Sequence, residues 1–200
     1  MSLITLPTEF KARSVSMRQF VSQRVAASPF GGSEQVTDLL NDRWLMSVEL
    51  PPLSQADASV IESWIATMRG QSNTVALYHL LRQVPRGTLT VTSGTLAIAS
   101  ASQGASTVTM AAAGLTGTLL PGDLFGAGGL LFEVAYTASV ATAAANSITV
   151  SITNRVRTAL TAATVTLTRP TATFRLLSSS GIKFVPGYAE SPSFEFGEAI

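Results

Sequence analysis

The chain contains no cysteine and a single histidine, His79. Without cysteine there is no disulfide, no thiolate nucleophile and no thiolate metal site, and the redox compartment is left open. With one histidine, a His-based zinc site or a His-centred acid–base constellation would be hard to build. The sequence therefore predicts no metal, no cofactor and no enzyme. Charge is also scarce: Asp, Glu, Lys and Arg make up 12% of the 200 positions, against about a quarter in an average globular protein. Thirteen Lys and Arg face twelve Asp and Glu for a net charge of +1, with no basic run. Composition gives no support to a nucleic-acid or membrane-surface footprint. A continuous apolar run is missing too. The longest uncharged stretch, Gly87 to Gly122, is long enough to cross a bilayer, but Thr, Ser and Gly alternate through it with apolar residues. A spanning helix needs near-continuous apolar character. The opening MSLITLPTEFKARS lacks the basic-then-apolar layout of a signal peptide. The expectation is a soluble protein without membrane contact.

What charge there is lies unevenly. Between Arg86 and Leu167 there are five charged residues, Arg86, Asp123, Glu133, Arg155 and Arg157, while 17 Ala and 16 Thr fill much of the segment. Such a shift, with ordinary composition on both sides, predicts an inserted domain over 86–167, bounded by Pro85-Arg86 and Thr168-Arg169-Pro170. Residues 1–85 and 168–200 would then form one discontinuous domain. The outer part reads as mixed strand and helix, and the insert, short strands with no helix between them, as a small closed or nearly closed all-β barrel.

In the outer part, Trp44, Met46, Val48 and Leu50 share one face of a strand that Pro51-Pro52 ends. Ser54 is placed as a helix N-cap, with Asp57 in the first turn. Val60, Ile61, Trp64, Ile65 and Met68 follow at helical spacing, and Gly70 supplies a stop, which predicts a helix over about 54–69. Burying those five side chains would contribute roughly 8–15 kcal/mol gross, so the helix should lie across a sheet. Trp44, Trp64, Ile61 and Ile65 are the expected core anchors, with the two tryptophans facing each other across the layer. Thr74–Leu81, Ala172–Leu177, Ile182–Val185 and Ser193–Phe196 read as extended. In the insert, Thr88–Thr92, Val108–Met110, Ile148–Thr153 and Thr164–Thr168 alternate with period two. Gly126-Ala127-Gly128-Gly129 links Leu124-Phe125 to Leu130-Leu131-Phe132 as a hairpin.

Few motifs suggest chemistry. A dinucleotide loop needs a helix after its glycines, whereas Gly126, Gly128 and Gly129 lead into the strand-like Leu-Leu-Phe-Glu-Val. No G-x-S-x-G occurs, and no serine has an evident base beyond His79, itself read as a packed or solvent-facing strand residue. Glu195 and Glu198 could be a carboxylate pair, but on a terminal strand that also carries Phe194 and Phe196 they read as its solvent-facing side. Turn chemistry or an ion pair explains Asp38, Asp42 and Arg43. The insert's uncharged, hydroxyl-rich surface fits either coverage by neighbours or simple solvation.

The order and spacing of several short motifs resemble those of distal tail proteins of long-tailed phages. They are Ser28-Pro29-Phe30, Asp42-Arg43-Trp44, Glu49-Leu50-Pro51-Pro52-Leu53 and the helix with Trp64. Pro85-Arg86-Gly87-Thr88, Pro121-Gly122-Asp123-Leu124-Phe125 and Arg169-Pro170 with Phe174-Arg175-Leu176 follow, so most of the chain is covered. The resemblance implies a virion structural protein, made in the host bacterial cytoplasm and built into the tail. There it would form a ring, commonly of six subunits, between the tail tube and the hub or tip. Its partners would be copies of itself, the tail tube protein and the hub or tip proteins, with DNA only passing through the lumen. The resemblance also implies the fold class, mainly β: a β-sandwich or split-barrel core domain with one packed helix, plus the inserted small all-β barrel as a second, projecting domain. The family brings no catalytic residues.

Ring closure needs a heterologous contact, and strand addition at exposed sheet edges would provide one. The sequence candidates are the C-terminal strand around Phe194 and Phe196 and the hairpin at Gly126, Gly128 and Gly129. Competing readings are another tube-end or hub-associated tail protein and, in a different class, a carbohydrate-binding module using Phe125, Phe132 and Tyr136.

Overall fold

The computed structural model describes residues 2–27, 31–136, 141–144 and 146–199. It is mainly β with one helix. Ser28-Pro29-Phe30, the first motif of the resemblance, lies outside the described residues. In chain order the first strands are β1 (Leu3–Ile4), β2 (Ser14–Phe20), β3 (Gln23–Ala27), β4 (Glu34–Asp38) and β5 (Arg43–Glu49). Helix α1 (Gln55–Met68) and β6 (Thr74–Leu77) follow. The middle of the chain supplies β7 (Ala97–Ala101), β8 (Thr107–Ala111), β9 (Leu124–Ala127), β10 (Leu130–Glu133), β11 (Ser147–Ser151) and β12 (Leu160–Thr166). The end supplies β13 (Ala172–Ser179) and β14 (Ser193–Glu198).

Both ends of the chain build the first sheet, in the order β1-β6-β13-β14-β5-β2. Only β1 runs parallel to its neighbour. Alternation along β5 buries Trp44, Met46 and Val48, and Leu50 just beyond it. After the two prolines, Ser54 caps α1: its Oγ accepts from the Asp57 N–H at 3.1 Å. The helix buries Ala58, Ile61, Trp64 and Met68 on this sheet. Val60, expected on that face, is 44% exposed, and Ile65 is half-buried. The stripe is centred on Ile61, Trp64 and Met68, so Ala58, three residues before Ile61, takes the inward position. Arg69 and Gly70, both at positive φ, end the helix.

The second large sheet runs β10-β9-β12-β7-β8-β11. Its outer strands approach each other: Val134 bridges Ile152, Ala135 N–H donates to Ser151 O at 2.8 Å, and Thr153 N–H to Glu133 O at 3.0 Å. The sheet is thus curled nearly into a barrel around Ile98, Val108, Met110, Phe125, Phe132, Ile148 and Val150. Threonines face out, as in the cross-strand Thr109–Thr149 hydroxyl pair at 2.9 Å. The expected strand at Thr88–Thr92 shrinks to Thr90–Val91, and the Thr74–Leu81 strand stops at Leu77.

Buried apolar side chains fall into two clusters. One draws on residues from Phe10 to Leu77 and Ala172 to Phe196, joined by Leu124 and Leu131; the other runs from Leu89 to Val165. The two chain crossings lie side by side, with Arg169 N–H donating to Gln83 O at 2.6 Å and Arg169 Nε to Gln83 Oε1 at 2.9 Å. Among the described residues, no helix is long and apolar enough to cross a membrane.

Candidate assembly surface

The C-terminal strand does not offer a sheet edge. β14 is paired on both sides, with β13 and β5. Phe194 and Phe196 are fully buried, packed with Phe10 and Trp64 at ring-centroid distances of 5.1–6.4 Å. Alternation turns them under the helix and leaves Glu195 exposed. They are core residues, which corrects the expectation that they close a ring.

The glycine hairpin is corrected in part. Gly126 is not at the tip but within β9, paired with β10 and β12. A Cβ there would lie 2.8 Å from the Thr166 Oγ1. Gly128 and Gly129 make the turn at φ 58° and 78° and are exposed, so backbone geometry explains both glycines. The tip has no free edge beside it on β9. Phe125 and Phe132 stack inside the barrel at 5.4 Å, leaving Tyr136 the exposed member of the aromatic trio proposed for glycan binding.

The tryptophans are core, as expected, but do not face each other. Trp64 Nε1 donates to Thr5 O at 3.1 Å, while Trp44 Nε1 reaches out of the first sheet to Leu131 O of β10 at 2.8 Å. Trp44 thus belongs to a junction between the two sheets. Glu198, expected in solvent, is buried there and ion-pairs with the buried Arg157 at 2.7 Å. Its oxygens accept from Trp44 N–H at 3.1 Å and Leu131 N–H at 3.4 Å. Burial raises the Glu198 pKa above the usual carboxylate range, against the opposing pull of Arg157 and the two N–H groups. Asn154 Nδ2 adds a bond to Leu131 O at 2.7 Å. Arg155 pairs with Asp38 and its N–H donates to the buried Asp42 at 3.2 Å.

The remaining candidates for chemistry have structural partners. His79 lies in a turn after β6, where its Nδ1 accepts from Arg82 N–H at 3.0 Å, leaving the ring proton on Nε2. Burial, then Arg82, lowers its pKa. Asp123 is buried and accepts from the N–H groups of Arg86, Gly87 and Leu120 at 2.8–3.0 Å.

Two features were not anticipated. Strands β3 and β4 pair only with each other among the described residues and form a hairpin outside both sheets. Val25 and Val36, directly opposite one another, are 57% and 56% exposed. The second is β2: all seven residues pair with β5, but among the described residues no strand pairs with its other side, which is an open edge of the sheet. Two five-residue runs around Gly31-Gly32 were a hairpin signal in the sequence. Comparison with protein-family models and with curated protein sequences finds no match.

Proposed function

We propose that this chain is a structural virion protein, a subunit of a six-membered ring at the distal end of a phage tail that joins the tail tube to the hub. The ordered series of motifs that resembles distal tail proteins supports this reading. So does the architecture, a helix-backed sheet made from both chain ends with a β-rich unit carried between them.

The observation that carries the proposal is the open edge of β2 together with the exposed β3–β4 hairpin. A closed ring requires each subunit to offer one patch and receive a different one, and a free edge and an unpartnered hairpin are two such patches. In this role the partners are further copies of the chain, the tube protein on one side and the hub or tip on the other. DNA passes through the lumen, and the role needs no catalysis, cofactor or membrane contact. A site elsewhere at the tube end or hub is the alternative within the same class.

Native mass spectrometry of the purified full-length chain, with particle images of the same sample, tests the proposal. The expected result is a closed hexamer. A ring of another stoichiometry would move the protein to a different tail position. A chain that stays monomeric at its highest soluble concentration, alone and with tube protein, would overturn the reading.

A further inference from the structure

We propose that the β3–β4 hairpin is an assembly arm whose β4 strand adds to the open edge of β2 in a second copy of this chain. The choice of a second copy as partner rests on the ring reading; the contact itself follows from four observations. An isolated two-stranded hairpin is at best marginally stable in water, yet this one presents Val25 and Val36 on one face with more than half of each exposed. That is the surface of an element awaiting a partner. The edge of β2 is equally incomplete. Its inward-facing Val15 and Met17 pack against the core but are only half-buried, because no strand lies beyond them among the described residues. An added strand with Val36 turned inward would extend the ladder and cover both. The lengths are compatible, five residues in β4 against seven in β2. The charges are complementary: β4 carries Glu34 and Asp38 and no cation, while β2 and the residue before it carry Arg18 and Arg13 and no acid. Asp38 is held by Arg155 at the hairpin base, so Glu34 is the acid available to the neighbour.

Strand addition relies on backbone hydrogen bonds, with alternate side chains setting register. With Val36 inward, Gln35 and Thr37 face outward beside Ser14, Ser16 and Arg18. Because the chain has no cysteine, disulfide trapping has no native background. The full-length variants Ser16→Cys/Gln35→Cys and Ser16→Cys/Thr37→Cys cover two registers. After mild oxidation, at least one should give a ladder of covalent oligomers that collapses on reduction, while each single variant stays free of ladders. Replacing residues 24–37 by a glycine-rich linker should give monomers with an unchanged melting temperature, since the hairpin belongs to neither core. No ladder from either pair, or oligomers that survive the linker replacement, would overturn the arm. A ladder without closed rings would keep the arm and reject the ring reading, whereas closed rings from the linker variant would keep the ring and reject the arm.

Discussion

At Arg157 and Glu198 two charges share a site almost without water, their side chains 7% and 1% exposed. Such a pair offsets its desolvation only while both partners are present, and removing one leaves an uncompensated buried charge, at about 3–5 kcal/mol. Arg157→Met should therefore destabilise the fold by about that amount at neutral pH. Arg157→Met/Glu198→Gln should regain most of it, because the amide oxygen still accepts from the Trp44 or Leu131 N–H. The pH dependence has a definite sign. A carboxyl group with a folded pKa raised above its unfolded value stabilises most below the unfolded value and loses that contribution as pH rises through the folded one. Without Arg157 the rise is larger, so the single variant should approach wild type as pH falls into the carboxylate range. The double variant lacks the titrating carboxyl, so its deficit relative to wild type should grow as pH falls and the wild-type Glu198 becomes protonated. Urea titrations from neutral to acid pH measure both, and a single-variant deficit that persists unchanged into acid would show that Arg157 acts by packing alone.

Strand β14 was placed by its sequence as extended, but not as central. Ser193 to Phe196 shows the alternation, and Phe194 and Phe196 show that one face is apolar; nothing local reveals that β5 and β13 will take its two edges. The same limit governs Glu198, since a carboxylate after an alternating run reads as exposed until the junction partner, distant in sequence, is known. Legible elements carry their information locally: the Ser54 cap, the β5 alternation, the β9–β10 turn and the poverty of charge in the middle of the chain. The short strand Ala97–Ala101 was missed because its small residues, Ala-Ile-Ala-Ser-Ala, give little hydrophobic contrast between faces. The expectation of an edge at the C-terminal strand fails for a related reason: the longer apolar strand is core, and the modest Gln-Arg-Val-Ala-Ala and Glu-Gln-Val-Thr-Asp runs lie outside both sheets. Truncation after Ser191 therefore has a different expected outcome from loss of an edge. It removes the strand between β5 and β13 and uncovers Phe10 and Trp64, so the product should lack a cooperative unfolding transition and aggregate in gel filtration. A soluble, cooperatively folding monomer would mean that β5 and β13 can close over the gap.

On the scale of the molecule, two apolar cores are joined through a junction that includes buried contacts. Leu124 and Leu131 come from the barrel strands yet pack in the first core, and Trp44 reaches back to Leu131 O. The chain enters the barrel beside its exit, where Gln83 and Arg169 bond to each other. Asp123 organises the entry by accepting three backbone N–H groups within a site that is 2% exposed. Buried contacts of this kind couple the two units, where a loose hinge would leave them to move independently. Calorimetry of the intact chain should accordingly show one cooperative transition. Asp123→Ala leaves three part-buried donors without their acceptor, at about 1–3 kcal/mol for each group that water cannot reach. That loss falls at the barrel entry, so the expected trace is two resolved transitions, with the apolar interior of each unit intact. If Asp123→Ala instead keeps a single transition at a lower temperature, the coupling resides in the Trp44–Leu131 contact. Trp44→Phe, which keeps an aromatic side chain but removes the indole donor, would then be the variant that separates the two cores.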